Sequence, residues 1–600
     1  MKKILFLMLI LPVLSSAQYY GERAAEKSFQ NSDMYFKSHY LNTFALPAFK
    51  QVAAGFVRDP FLDLFNNPAS LPELNGKEIK FYMDFRGDRE VPLIVDRYVP
   101  LNYYAPADLR LPDRRWLSTA RVEPEPVVSI GVLTYPVKEI NKNFFLGATY
   151  QLIHREEKYY SMPYYIYSSR YGYDAFNAKI ASSDVSSIPT IDREANMDEM
   201  LTSAHLFSAF MGFRVLDNLT FGLSLNGVTH SRAGEYLNLY NSEYGNTSQS
   251  KYNNSNSEAK DEKYRHLDLS AGVSMDVSPL LRLGLKGGFL SGKANQAFNQ
   301  GNSYFYQYKV PEKLPDWSYN MSNSITEQTW QHKGTTKYIG VNFLKLLPEG
   351  KEIAGFYRYN HSNIDLYSTS AINDTSNSTY RWVSSYDSSV YASNGYSFVH
   401  DIRTGSGEKT VNSHEVMLNF KWDLTPSNTL LAGFYYSNSK SSVTDSEPVL
   451  ASRYSEYNHT SQGNNYYYLN TLREKKTLKW NYTAEEWTLQ IPVLLYFKVH
   501  EKFGLWLGVN RILRDWEIHD VTVAYFNSRE RNENGVIGKE SNFAERYTEP
   551  AKKLTENTTD FITKFDLNIS PDLKINLLMD PDFEGLFHLA QWWLSLEANL

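Results

Sequence analysis

Cysteine is absent from the 600 residues of the chain. That absence excludes a disulfide scaffold, a thiolate zinc site, a cysteine-ligated iron–sulfur cluster and a cysteine nucleophile. An excess of positive charge is also missing, because 61 Lys and Arg against 67 Asp and Glu give a formal net charge of −6. A weakly acidic chain of this kind does not match a nucleic-acid-binding surface. We therefore expect no thiol chemistry and no nucleic-acid partner.

Long apolar runs are scarce as well. Mean hydropathy is −0.46, and beyond Ala17 no uninterrupted apolar stretch approaches the roughly 18 residues that a transmembrane helix needs. The apolar run Ile4–Leu14 follows two lysines and precedes Ser15-Ser16-Ala17. A charged start, a short apolar stretch and a small-residue cleavage site are typical of a signal peptide. We expect residues 1–17 to be removed and the mature chain to be exported, with any membrane span made of strands.

Aromatic residues are abundant, at 15% of the chain with 45 tyrosines. Apolar and polar residues alternate with period two in many segments of eight to ten residues, which predicts strands. Many such strands, with Tyr and Trp for interfacial girdles, are typical of a transmembrane β-barrel. Examples of alternating segments are Ile79–Arg86, Leu267–Asp276, Val416–Asp423, Trp487–Phe497 and Trp592–Leu600.

The connections between these strands alternate between short and long. Short periplasmic turns and long extracellular loops are the arrangement of an outer-membrane barrel. The expected turns are Val137–Asn143, Leu216–Asn218, Val277–Leu280, Leu347–Lys351, Leu424–Asn428, Val499–Lys502 and Ser570–Asp572. The expected loops are Arg155–Thr202, Ser231–Tyr264, Ser291–Thr335, His361–Ser413, Ser439–Glu485 and Arg514–Thr559. We predict an all-β, antiparallel transmembrane barrel of 14–16 strands, with sixteen preferred and fourteen left open if Leu573–Met579 is not a separate strand.

The segment between the signal peptide and the barrel, residues 18–76, does not alternate. Ala45–Phe56 has helical spacing, and Asp59 followed by Pro60 predicts the N-terminus of a short helix over Phe61–Phe65. Two placements are open: a partly helical hatch inside the barrel, or an arm packed against its periplasmic end. The expected organisation is a signal peptide (1–17), a hatch or arm (18–76) and a barrel (77–600).

A family resemblance rests on the tripeptide Asn67-Pro68-Ala69, which stands just before the first predicted strand. It resembles the junction motif of fatty-acid transporter-like (FadL-like) outer-membrane proteins, as found in Bacteroidota. The resemblance implies a short N-terminal hatch, a fourteen-stranded barrel and passage of hydrophobic molecules such as fatty acids or aromatic compounds. The sequence departs from the family pattern after the motif, where Ser70-Leu71-Pro72 replaces Gly-Leu-Ala. Only these three residues carry the resemblance, as a candidate ligand and hatch junction.

Charged residues of both signs occupy positions that the alternation points into the lumen. They are Lys80, Asp84, Arg86, Arg214, Asp268, Arg282, Lys286, Arg358, Glu415, Lys421, Lys498 and Glu597. One interpretation is a polar pore whose charges set ion preference. The other is pairing of opposite signs on neighbouring strands, since unpaired buried charge is costly. We favour pairing, which argues for a gated or closed barrel over an open porin.

Candidate catalytic groups are weak. Gly222–Asn226 lacks the second glycine of a nucleophile elbow, and His414-Glu415 lacks the second histidine of a zinc protease motif. His205 and His230, with Ser231 beside the latter, are the one conceivable barrel-hydrolase cluster. We expect no enzyme activity, no metal and no cofactor.

Two functions from different classes are compatible with these features. The first is passage of small, hydrophobic solutes through a hatched barrel. The second is a structural or interaction barrel, such as a secretion component, assembly partner or surface adhesin. Expected partners are outer-membrane lipid and lipopolysaccharide, the barrel-assembly machinery and a small hydrophobic ligand; the oligomeric state is left open.

Overall fold

A computed structural model describes residues 56–70, 72, 74, 78–88, 127–136, 143–158, 199–244, 249–309, 316–384, 388–461, 463–548, 552–582 and 588–600. The expected signal peptide lies outside these residues, as does the expected Ala45–Phe56 helix apart from Phe56. No helix among the described residues is long and apolar enough to cross a membrane.

Helix α1 spans Pro60–Asn66. Eighteen strand segments follow it in the chain. They are β1 (Ile79–Asp88), β2 (Val128–Thr134), β3 (Phe144–Lys158), β4 (Glu199–Leu216), β5 (Leu219–Tyr244), β6 (Gln249–Ser278), β7 (Leu281–Lys309), β8 (Trp317–Leu347), β9 (Lys351–Val383), β10 (Val390–Thr425), β11 (Asn428–Ser461), β12 (Asn464–His500), β13 (Phe503–Glu533), β14 (Val536–Glu540), β15 (Phe543–Thr548), β16 (Lys552–Ser570), β17 (Leu573–Asp582) and β18 (His588–Asn599).

The sheet is closed. Successive strands pair antiparallel, and β1 pairs with both β2 and β18. The segments β14, β15 and β16 lie one after another along β13 and together fill one position around the barrel. The barrel therefore has sixteen strands, which confirms the predicted fold class and the preferred count. It has two strands more than the FadL-like resemblance implies.

Short turns join the strands at one end of the barrel, as predicted. For example, β4 ends at Leu216 and β5 begins at Leu219, and β16 ends at Ser570 before β17 begins at Leu573. In the turn after β8, Glu349 and Gly350 have φ of 65° and 69°. Two consecutive positive φ angles match the right-handed twist of the flanking strands, and glycine adopts them without steric cost.

The prediction of long loops is wrong wherever the structure describes those segments. Within 231–264, the described residues of β5 and β6 are paired from Ser231 with Lys263 to Tyr244 with Ser250. The described parts of 291–335, 361–413, 439–485 and 514–559 are likewise in strands. We call these five segments the shaft. The longest strand, β12, has 37 residues, or roughly 120 Å of extended chain.

The error has a physical reason. Strand prediction from sequence relies on alternation between apolar and polar residues. Shaft strands such as Ser250–Tyr264 alternate among Ser, Asn, Tyr and charged residues, so no apolar stripe marks them. Backbone hydrogen bonds between neighbouring strands form regardless of that pattern, because every residue except proline carries one donor and one acceptor.

Near the short turns, the wall carries apolar side chains outward and polar ones inward. On β6, Leu269 is 54% exposed whereas its neighbour Asp268 is 3% exposed. On β1, Phe85 is exposed whereas Lys80 and Asp84 are buried. Outward apolar and inward polar side chains over about ten residues per strand are the pattern of a transmembrane barrel. We call this level the membrane band.

Candidate functional site

The described part of residues 18–76 lies inside the barrel. We call residues 56–70 the leader segment. As predicted, Asp59 is the N-cap of α1: its Oδ1 accepts hydrogen bonds from the backbone N–H groups of Phe61 (2.9 Å) and Leu62 (3.2 Å). Pro60 fills the first helical position, where no N–H is needed. The local sequence therefore sets this short helix, and the barrel wall surrounds it.

Helix α1 crosses the lumen, because its two faces contact different parts of the wall. Phe61 and Phe65 pack against Leu133 and Phe210 on β2 and β4. On the other face, Leu62 and Phe56 join a cluster from the remaining wall, formed by Phe356, Met417, Leu431, Tyr435, Leu494, Ile562, Leu578 and Trp593. Burying each such side chain stabilises by about 1.5–3 kcal/mol. The leader segment is thus held across the barrel mainly by apolar contacts.

The Asn67-Pro68-Ala69 motif sits against the inner wall. Asn67 Nδ2 donates hydrogen bonds to the Val273 carbonyl (3.1 Å) and to Asn342 Oδ1 (3.1 Å). Its own Oδ1 accepts from the Ala69 N–H (3.0 Å), which fixes the turn. The Asn67 side chain is fully buried. Its amide therefore joins the leader segment to β6 and β8.

Three wall glycines make room for this motif. A Cβ on Gly222 would overlap the Pro68 carbonyl, and one on Gly272 would overlap Asn67 Oδ1. A Cβ on Gly284 would lie 2.6 Å from Asn67 Nδ2. These glycines on β5, β6 and β7 form a shallow depression, which we call the seat. The motif can approach the wall this closely because glycine has no side chain.

Two lysines of the wall hold the ends of α1. Lys80 Nζ lies 3.8 Å from Asp59 Oδ2 and 3.4 Å from Glu597 Oε2. Lys286 Nζ donates to the Phe65 carbonyl at 2.9 Å. The first contact is near the N-terminus of the helix and the second is near its C-terminus. Lys286 suits the negative partial charge of the helix C-terminus. At the N-terminus, where the partial charge is positive, the favourable group is the Asp59 carboxylate, and Lys80 pairs with that carboxylate.

Four of the predicted lumen cations lie within ion-pair distance of a carboxylate. The pairs are Lys80 with Glu597 (3.4 Å), Arg282 with Asp276 (2.7 Å), Arg358 with Glu415 (3.3 Å) and Lys421 with Glu352 (2.9 Å). Each pair joins neighbouring strands. The arrangement cross-links the wall, and at these positions it differs from the separated charges that an ion-selective pore would present.

The other predicted lumen residues have varied surroundings. Asp84 accepts from Tyr82 (2.9 Å), and Asp268 accepts from Tyr338 (2.9 and 3.1 Å) and Asn226 (3.3 Å). The Arg86 guanidinium lies over the Trp593 ring, 5.5 Å from its centroid. Arg214 and Lys498 are exposed near the short turns.

One polar cluster of the membrane band was not predicted from the sequence. Asp566 Oδ2 accepts from Trp506 Nε1 (2.6 Å) and lies 3.1 Å from Lys574 Nζ. Lys564 lies 3.5 Å from the other oxygen of Asp566. The signal was present in the sequence, because Lys564 and Asp566 alternate with the outward Phe565 and Leu567.

A mostly apolar layer lies in the interior above the membrane band, with the buried polar side chains of His230, His332 and Lys409 among its members. Its apolar side chains come from β3 to β9, β11 and β12, and all are nearly fully buried. They are Ile153, Ala204, Leu206, Val228, Tyr264, Leu290, Ala294, Phe298, Trp330, Ile364, Leu366, Val443, Trp480 and Tyr482. The lumen is therefore interrupted twice, by the leader segment and by this layer.

A buried acidic cluster lies farther along the shaft. Arg403 donates to both oxygens of Asp401 (3.0 and 3.0 Å). Asp445 and Glu447 face the same interior from β11, beside Gly407 and Gly405. Burial raises the pKa of Asp445 to about 8, with a smaller contribution from the negative charge of Glu447. Burial and the neighbouring carboxylate therefore favour the protonated form of Asp445.

The candidate hydrolase residues do not come together. His205 faces outward, where its Nδ1 is hydrogen-bonded to the Tyr150 hydroxyl (2.8 Å). His230 is buried on the opposite face of the wall, since it pairs with Ala204 while His205 pairs with Thr229. Ser231 faces outward, away from His230. Among the residues that the structure describes, no group of three or more His, Asp or Glu could hold a metal ion.

Comparisons with known proteins give distant likenesses only. No family model and no curated protein matches the chain. Among solved structures, the toluene transporter TbuX of Ralstonia pickettii is 10% identical over 69% of this chain and 97% of its own, with a TM-score of 0.24. The CymD monoaromatic hydrocarbon channel is 10% identical over 70% and 97% of the two chains, with a TM-score of 0.23.

A further solved structure is a mutant of the ferric enterobactin receptor PfeA of Pseudomonas aeruginosa. It is 9% identical over 68% of this chain and 79% of its own, with a TM-score of 0.16. Two of the three proteins are named as a transporter or a channel of aromatic hydrocarbons. At TM-scores this low, the likenesses do not bear on which solute this chain binds.

Proposed function

We propose that the protein is an outer-membrane barrel through which small hydrophobic solutes pass, with residues 18–76 as its hatch. A closed transmembrane barrel fits solute passage. The observation that carries the proposal is the double interruption of the lumen, by the leader segment and by the apolar layer. Neither barrier suits a hydrated ion, since moving it among buried and mostly apolar side chains costs several kcal/mol or more.

For an apolar solute, the free energy of entering the lumen has the opposite sign. Such a solute gains by leaving water at the apolar layer, because burial of apolar surface is favourable. Farther along, the leader segment again presents apolar contacts, such as Phe61 and Phe65 against Phe210. Passage then requires the leader segment to shift, which breaks the contacts of Lys80 and Lys286 without any covalent step. The mechanism needs no cofactor.

The proposal includes the location and general partners expected from sequence. Residues 1–17 serve as the signal peptide and direct export, and the barrel-assembly machinery inserts the chain. Outer-membrane lipid and lipopolysaccharide then surround the membrane band. The paired lumen charges, such as Arg358 with Glu415, stiffen the wall around the hatch.

The test compares the mature chain with a version lacking residues 18–76, both in liposomes. The probes are a monoaromatic hydrocarbon, a fatty acid and a small sugar. We expect deletion to raise uptake of the two apolar probes several-fold, while the apolar layer still excludes the sugar. Equal increases for all three probes would identify a general pore, and no increase for any probe would contradict a hatch at 18–76.

A second function, an interaction barrel, is favoured by the length of the shaft and by aromatic exposure at its far end. Tyr466, Tyr467 and Tyr468 at the start of β12 are all exposed. Exposed tyrosines of this kind are common in binding surfaces. If the interaction function is correct, replacing all three by serine abolishes partner binding while probe uptake is unchanged.

A further inference from the structure

Three basic residues lie side by side on the outer surface just beyond the membrane band. Arg265 of β6 is directly opposite Lys293 of β7, which is directly opposite Lys333 of β8. We call these three residues the basic row. Their side chains face outward, since the neighbouring Ala294 and His332 are buried inward. The row therefore places three like charges on adjacent strands.

Such a row is unfavourable by itself, because like charges directly opposite one another repel. Among the described residues, no carboxylate lies within the 4.0 Å of an ion pair from any of the three. Asp365 of β9 is opposite Lys333 without pairing with it. Lys263 pairs with Asp261 on the far side of the row (2.7 Å), and Lys337 adds a fifth cation on the membrane side. Glu408 of β10 lies opposite Asp365 on the same outward face. Five cations against the three carboxylates Asp261, Asp365 and Glu408 leave the patch with a net charge of +2, which an external anion would balance.

The same strands carry an apolar groove within the membrane band. Its outward floor consists of small residues, Ala148, Ala209, Ala271 and Gly287, between larger ones such as Leu223 and Phe289. The groove encloses about 850 Å³, within the roughly 300–1,000 Å³ of small-molecule sites. Ala271 and Gly287 lie on β6 and β7, the strands that carry Arg265 and Lys293.

The spacing of the two features matches one molecule. Phe289 borders the groove and Lys293 belongs to the basic row, four positions farther along β7. At about 3.3 Å per residue this is roughly 13 Å along the strand. An anionic head group at the row would therefore leave its hydrocarbon chains directly over the groove.

We propose that the basic row and the groove together bind one lipid with a phosphorylated head group from the outer leaflet. The cations would neutralise the phosphates, and the groove would take the acyl chains. A second copy of this chain would instead bring an identical basic row and add repulsion. The inference rests on the proposed location in an outer membrane, but not on passage of any solute.

The test is binding of diphosphorylated lipid A to the delipidated mature chain in neutral detergent, measured by native mass spectrometry. The R265Q/K293Q/K333Q variant should bind at least tenfold more weakly. The matched control K309Q/K475Q/K539Q makes the same charge change at exposed positions of the shaft and should bind like the parent. Dephosphorylated lipid A should bind weakly to all three proteins. Raising the salt concentration should weaken binding of the parent, since exposed charges are screened.

Thermal unfolding supplies a second measurement, in which the R265Q/K293Q/K333Q substitutions should increase stability, whereas they decrease lipid binding. Without lipid, R265Q/K293Q/K333Q should unfold at a higher temperature than the parent, because the like-charge repulsion is removed. With lipid A, the parent should gain more than the variant. Inorganic phosphate alone should protect the parent less than lipid A does.

The groove is tested by Gly287→Leu with Ala271→Leu. A Cβ on Gly287 meets nothing closer than 3.8 Å, so a side chain at this position starts in open space, and Gly287 lines the groove. We expect weaker lipid A binding at an unchanged response to inorganic phosphate. Equal binding by these variants would overturn the groove, and equal binding by R265Q/K293Q/K333Q or by dephosphorylated lipid A would overturn the site. Lipid binding that persists when no probe crosses into liposomes would count against the proposed function alone.

Discussion

The membrane band and the shaft share one continuous set of strands but carry opposite side-chain patterns. On β7, Lys286 points inward and Phe289 outward within the membrane band, whereas Ala294 points inward and Lys293 outward in the shaft. On β9, Arg358 is buried at the membrane level and Ile364 takes the inward position beyond it. Alternate residues keep facing inward and outward along the whole strand. What changes is whether the inward or the outward side chains are polar.

The difference shows how the surroundings of the wall, hydrocarbon or water, determine which side chains face inward. In the membrane band, hydrocarbon surrounds the wall, so polar groups are retained inside and paired. In the shaft, water surrounds the wall, so apolar side chains can also collect inside. They share that interior with the buried cluster of Asp401, Arg403, Asp445 and Glu447. The leader segment occupies the interior of the membrane band, and the apolar layer occupies the interior beyond it.

The largest expected effect comes from removing the seat of the leader segment. Gly222→Ala places a methyl group where the Pro68 carbonyl lies, so the segment cannot seat. Gly287→Ala, on a nearby strand, meets nothing closer than 3.8 Å and is the control. We expect Gly222→Ala to raise uptake of a monoaromatic probe into liposomes nearly as much as deletion of 18–76, and the control to leave it unchanged. Equal uptake through both variants would count against the seat.

The apolar layer is tested with Leu290→Ala. Because Leu290 is fully buried, its truncation should cost about 2–5 kcal/mol of unfolding free energy. Ser291→Ala, exposed on the next residue of β7, should change it by less than about 0.5 kcal/mol. Denaturant unfolding followed by tryptophan fluorescence measures both. Similar costs for the two variants would mean that the shaft has no packed interior.

The acidic cluster of the shaft predicts a pH dependence. The raised pKa of Asp445 means that the folded chain retains a proton that the unfolded chain loses above the ordinary value of 3.8. Stability from this group is therefore complete below about pH 4, falls as pH rises, and levels off above about pH 8. Asp445→Asn should remove this part of the decline and be more stable than the parent at pH 8. A parallel pH profile for the variant, in thermal unfolding, would refute the assignment.

The smallest expected effect concerns the start of α1. Asp59→Ala removes the N-cap oxygen and should cost about 1 kcal/mol. Asp59→Asn keeps the cap and loses only the charge facing Lys80 (3.8 Å), so it should cost less. Thermal unfolding of the two variants separates the cap from the ion pair, and a larger loss for Asp59→Asn would reverse that order.

Sequence reasoning recovered the parts of the fold that leave a local pattern. The strands of the membrane band alternate in hydropathy, and the Asp59-Pro60 start of α1 is a local signal, so both were predicted. The shaft strands were missed because their outward and inward residues are mostly polar near the tips, such as Asn254 and Ser255. Their pairing is set by the neighbouring strand, which no local window contains.

The site was predictable to a similar degree. Alternation placed Lys286 and Asp268 on the inner face, but it could not show that Lys286 contacts the Phe65 carbonyl, 221 residues away. The glycine seat of Asn67 and Pro68 depends on three strands meeting the leader segment in space. The apolar layer could not be predicted either, because its members are one to three residues from each of many strands that meet only in the folded chain.

The central claim is that the leader segment obstructs the lumen and must move for solute to pass. Because the chain has no cysteine, a Phe65→Cys, Phe210→Cys variant offers two unique thiols at positions whose ring centroids lie 5.1 Å apart. The measurement is uptake of a monoaromatic probe into liposomes before and after treatment with a short thiol cross-linker, beside each single-cysteine variant. We expect cross-linking to stop uptake in the double variant only. Unchanged uptake through a fully cross-linked double variant would contradict the claim.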